Sequence, residues 1–161
     1  MSEPDEFDEE YDAFRYWLHQ LETRDPLGIM IIQGHLLLEE EVNAFVAKAF
    51  KNPKAVDELR FFWKVQLVKA FHPPGERSDL WELIGMLTKL RNLVAHRLVA
   101  DSTEERIAII DSLREQFNPP EELNPLQVEL DAETIVGMAF GYAKGALQAM
   151  VAALNSQVEK S

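Results

Sequence analysis

The chain has 161 residues, 47% of them hydrophobic and 27% charged, with no cysteine; this suits one domain with a core of its own and excludes disulfides and thiolate metal sites. Acidic residues outnumber basic ones 28 to 16, a formal net charge of −12. Such a chain repels nucleic acid at long range, so RNA could be met only through a local basic patch or a surface shared between subunits, and direct DNA binding is not expected.

The opening residues, MSEPDEFDEE, are acidic and lack an apolar run. They do not read as a secretory signal, and a cytoplasmic location is expected. Residues 6–21 place Phe7, Tyr11, Phe14, Leu18 and Leu21 on one side of a helix. Asp25 followed by Pro26 is a cap and a first-turn proline, opening a long helix that reaches about residue 50 before Pro53 stops it. Residues 53–71 read as a further helix with Val56, Leu59, Trp63, Leu67 and Ala70 facing in. HPPG at 72–75 breaks the chain, and Ser78 opens the next helix. Ser102 with Glu105 makes a capping-box pattern for another, which ends before Pro119 and Pro120. NPPEELNP is a loop, and a last helix runs from near Asp131 to about residue 157. The expected fold is all-α, a single helical bundle of about six helices. An acidic N-terminal helix occupies 1–24, core helices 25–100, and C-terminal helices 101–161.

Residues 135–154, IVGMAFGYAKGALQAMVAAL, have the length of a membrane span. Lys144 near the middle would cost roughly 3 kcal/mol on insertion. Asp131 and Glu133 suit a helix that starts in water, so a core helix is expected and no membrane contact. Within it Gly137, Gly141, Gly145, Ala149 and Ala153 recur at every fourth position. Glycine inside a helix costs about 1 kcal/mol against alanine, which implies a packing reason for the smooth strip. Close approach of another helix supplies one, whether from the same bundle or from a partner.

The stretch KLRNLVAHRL, residues 89–98, is the most informative. At about 100° per residue, Leu80, Leu83, Ile84, Leu87, Leu90 and Val94 share one face, and Arg91 falls inside that arc. Asn92 and His96 share a neighbouring edge. A guanidinium cannot shed its charge, so it must be paired or face a wet crevice. In HLLLEEEVNAF, Glu39 and Glu41 flank the apolar face of their helix; Glu39 is the favoured partner of Arg91 and Glu41 the second. His35, one turn before Glu39, is placed to hydrogen-bond to it. A plainer reading also stands: Arg91 lays its stem along the surface, and His96 answers the helix dipole.

RNLVAH resembles the signature of the HEPN superfamily, an arginine, a polar residue and then a histidine; here Arg91, Asn92 and His96 match. GHLLLEEEVNAFV, with Glu39 at an acidic position, and FFWKVQLVKAF, through Phe61, Lys64 and Leu67, are similar to the branch that resembles mannitol-operon regulators. The resemblance covers about residues 26–96. It implies a helical bundle that dimerises with its motifs facing each other, acting as a metal-independent ribonuclease of toxin or RNA-processing type. In that case His96 would be a general acid/base, Arg91 would stabilise phosphoryl charge, and Asn92 would position the phosphate or the imidazole. Lys89 and Arg97 would hold RNA, and a cognate antitoxin or regulatory protein would be a partner. The rival expectation is a non-catalytic regulatory or interaction protein of the same fold.

No cofactor or metal is expected. Glu-x-x-His pairs are missing, and His35 with Glu39 lacks companion ligands. His19 and His72 read as surface residues, and Trp63 and Trp81 as core rather than as a base-stacking platform.

Overall fold

The computed structural model describes residues 25–95, 103–117 and 130–158. The helix expected over 6–21, with His19, lies outside these residues, as do His96, Arg97, Ser102 and the loop at 118–125. Among the described residues the fold is all-α. Five α-helices, α1 (Pro26–Ala49), α2 (Phe61–Ala70), α3 (Ser78–Ala95), α4 (Thr103–Phe117) and α5 (Ala132–Val158), are joined by one 3₁₀ turn at Pro53–Val56.

Helix α1 starts where its sequence requires. Asp25 has non-helical backbone angles, its carboxylate accepts the Gly28 N–H at 2.9 Å, and Pro26 follows, where a missing N–H does no harm. Phe50 returns the chain to extended backbone. Asp131 caps α5 in the same way, accepting the Thr134 N–H at 2.7 Å. Those hydrogen bonds hold its carboxyl below the usual carboxylate range.

The buried stripe of α1, Ile31, Leu38, Val42, Phe45 and Val46, lies at helical spacing. Its most extensive partner is α5, which buries Ile135, Val136, Ala139, Phe140, Ala143 and Leu147. The two helices run parallel. Gly34 lies against the Phe140 ring, and seven residues on Glu41 accepts from Gln148 Nε2 at 2.7 Å. By length and composition α5 could cross a membrane. Here its apolar stripe is the centre of the bundle, packed on α1, α3 and α4.

The pattern drawn through 53–71 needs correction. A 3₁₀ turn and a break at 57–60 precede α2, whose buried residues are Val65 and Val68. Trp63 is 57% exposed and Leu59 38%. Ala70 is exposed, while Val56 and Leu67 are half-buried. A 3₁₀ turn advances about 120° per residue rather than 100°, so helical phase counted from Val56 does not survive to Trp63. Trp81, by contrast, is core, donating its indole N–H to the Glu76 carbonyl at 3.2 Å. His72 is not a surface residue: it is half-buried between the Phe45 and Trp81 rings, with centroids at 6.3 and 6.0 Å.

The small-residue strip of α5 also differs from one of its two readings. Gly137, Gly141, Gly145, Ala149 and Ala153 are all exposed. A Cβ on any of the three glycines would meet nothing within 4 Å among the described residues. The strip therefore does not serve packing within the described bundle. The close approach is made at Gly34, where a Cβ would stand 2.7 Å from the Phe140 ring.

Candidate functional site

Helix α3 carries Asp79 in its first turn, where a negative charge suits the dipole, and ends at Ala95. Its inward face is Leu80, Trp81, Leu83, Ile84, Leu87 and Leu90. One residue past that stripe the burial relaxes: Arg91 is half-buried and Asn92 exposed. Arg91 Nη1 donates to Asn92 Oδ1 at 3.2 Å. The structure thus joins two of the three motif residues, while His96 lies outside the described residues.

The expected carboxylate partners of Arg91 are engaged elsewhere. Among the described residues no ion pair joins Arg91 to Glu39 or Glu41. Glu39 Oε1 lies 3.1 Å from His35 Nδ1, a partner one turn away on its own helix. Glu41 is turned to the opposite flank of α1 and holds Gln148 of α5. The two acids lie on opposite edges of the buried stripe and so meet different neighbours.

His35 is 3% exposed, the one buried polar residue among those described. Phe61 stands edge-on to its ring, with centroids 4.6 Å apart. The Glu39 oxygen is at hydrogen-bonding distance from Nδ1, yet neither ring nitrogen has a partner of good hydrogen-bond geometry. The contact is therefore read as charge against ring edge. Burial pushes the His35 pKa below 6.5; the Glu39 carboxylate opposes that shift, and the Arg91 charge adds to it. His35 thus feels charge from its own helix, at Glu39, and from α3, at Arg91.

Lys89 is exposed and its amine is 4.0 Å from Glu105. An ion pair this open contributes little, about 0–1 kcal/mol, and leaves the amine usable. Lys64 on α2 donates to Asn43 Oδ1 at 2.8 Å, so it helps seat α2 on α1.

Sequence reasoning missed the groove between α2 and α3, which reaches Asn92. Its signal was present in RFFWK, residues 60–64, where cations bracket three aromatics. Assigning Trp63 to the core concealed it.

Set against protein-family models, curated proteins and solved structures, the chain matches none of them.

Proposed function

We propose that the chain is a HEPN-like, metal-independent ribonuclease of toxin or RNA-processing type, active as a homodimer with a composite site. One observation carries this reading: Arg91 sits half-exposed at the end of a core helix, hydrogen-bonded to Asn92 and not neutralised by Glu39 or Glu41. A strut would be tied to a carboxylate. A guanidinium held by a neutral amide keeps its charge for phosphate.

In this reading a 2′-hydroxyl attacks the adjacent phosphorus, and the bond to the 5′-oxygen breaks. His96 takes the hydroxyl proton, and the His96 of a second copy returns one to the leaving oxygen. Arg91 stabilises the charge that builds on the phosphoryl oxygens. Asn92 orients Arg91, and Lys89 and Arg97 contact the strand. Glu39 acts at one remove, through its charge beside His35. A cognate antitoxin would cover the same surface.

The test is cleavage of single-stranded and structured RNA in the presence of EDTA. The reading requires cleavage that His96→Ala abolishes and a dimer in light scattering. Cleavage that survives the substitution, or a strict monomer with full activity, would oppose it.

A second reading, a non-catalytic regulatory or interaction protein similar to mannitol-operon repressor-type regulators, is favoured by the exposed aromatics Phe62 and Trp63. It requires that purified protein never cleave RNA and that it capture a protein partner through that surface.

A further inference from the structure

We propose that the groove between α2 and α3 is a subsite for an unpaired base of single-stranded RNA. The proposal rests on the ribonuclease reading, whose substrate class it names.

The groove encloses about 390 Å³, within the ~300–1,000 Å³ typical of small-ligand sites. Phe61 and Phe62 line it from α2, and Val65 and Ile84 add apolar surface. Phe62 is 58% exposed and stands edge-on to Trp63, with centroids 5.2 Å apart. Phe62, exposed and part of the groove's lining, offers a ring on which a base can stack, whatever its identity, and Trp63 stands beside it outside that lining.

The polar groups of the groove fit the edge of a base. Gln66 and Asn92 each carry an amide, which both donates and accepts, and Lys89 adds a cation. No carboxylate lines the groove, although the chain carries 28 acids against 16 bases. The two neighbouring surface clefts include Glu76, Glu82 and Glu115. A strand of RNA, repelled by most of this protein, meets here a lining without a carboxylate; the acid paired with that lining is Glu105, in an open 4.0 Å contact with Lys89 that phosphate can displace.

Asn92 both lines the groove and accepts the hydrogen bond from Arg91. Asn92 is therefore the link between a base held in the groove and a phosphate held at the guanidinium. An A-form duplex keeps its bases stacked and cannot present one to the groove. The subsite thus makes the enzyme selective for single strands or unpaired loops.

Binding is measured with the His96→Ala protein, so that no substrate is consumed. A fluorescent single-stranded RNA of about twelve nucleotides and its duplex are compared by anisotropy at low salt, where phosphate contacts are strongest. The expected result is tighter binding of the single strand. Phe62→Ala, at an exposed position that does not support the fold, should weaken it roughly tenfold or more, the scale of one lost base–aromatic stack. Lys89→Glu should weaken it further. Equal affinity for duplex and single strand, or indifference to both substitutions, would overturn the subsite. Wild-type cleavage that ignores Phe62→Ala would overturn it while leaving the ribonuclease intact. Single-strand binding that depends on Phe62, in a protein that never cleaves, would uphold the subsite and defeat the ribonuclease.

Discussion

Arg106 grips Asp25 through two parallel hydrogen bonds, Nη1 to Oδ2 at 2.9 Å and Nη2 to Oδ1 at 2.8 Å. The same carboxylate caps α1 through Gly28, so one side chain starts a helix and fastens it to another 81 residues away. Both side chains are largely shielded, 12% and 16% exposed. Removing one partner from a buried pair leaves the other charge unanswered, at a cost of about 3–5 kcal/mol. Arg106→Ala should therefore lower stability by about 3 kcal/mol in urea unfolding, with an unchanged denaturant slope. Arg106→Lys should recover only part of this, because an ammonium cannot make the paired contact. A loss below half a kcal/mol would show that the pair does not staple α1 to α4.

The glycines of α1 and α5 should respond in opposite directions. At Gly34 a methyl would press on Phe140, so Gly34→Ala should cost about 1–3 kcal/mol, as overpacking does. At Gly141 and Gly145 a methyl meets open space, and alanine should stabilise the helix by about 0.5–1 kcal/mol at each position. Thermal unfolding of the three variants tests this. A destabilised Gly141→Ala or Gly145→Ala would reveal a surface lying close against the strip.

His35 makes stability depend on pH. Burial lowers its folded pKa below the unfolded value of 6.5, so the unfolded chain binds the proton more readily. The contribution of His35 is therefore fully present above pH 6.5 and is lost as pH falls below it. His35→Leu should flatten this part of the acid limb when chemical denaturation is compared between pH 7.5 and 5. At pH 7.5 the variant should match or exceed its parent, since two buried ring nitrogens lacking hydrogen bonds are removed. Equal pH slopes in parent and variant would contradict the assignment.

Helix starts and stops were the most legible features, because they are local chemistry. Asp25 with Pro26, Pro53, HPPG and Asp131 each act within a few residues, and the elements begin and end where these signals stand. The inward face of α3 was legible for the same reason: one unbroken helix keeps one phase. Phase was lost across the turn before α2, which sent Trp63 to the wrong side. Partners distant in sequence were not legible at all. Nothing local to Glu41 points to Gln148, and nothing local to Asp25 points to Arg106. The glycine strip announced itself by repetition, whereas Gly34, a single residue, occupies the position where space is short. At the candidate site the pairing of Arg91 with Asn92 follows from their adjacency on α3, while His96 lies outside the described residues. The spacing of His35 and Glu39 predicts a hydrogen bond, and the structure brings the two within 3.1 Å without the geometry of one; that this contact replaces pairing with Arg91 was not legible.

The proposed ribonuclease requires Arg91 to be available to phosphate rather than built into the frame. Arg91→Ala separates the two, if urea unfolding and RNA cleavage in EDTA are measured on the same preparation. Stability should stay within about 1 kcal/mol of the parent, as for a side chain outside the core. Cleavage should fall by roughly 10²-fold or more, as when a group that stabilises transition-state charge is removed. An Arg91→Ala protein that unfolds, or one that cleaves RNA as well as its parent, would contradict the proposed function.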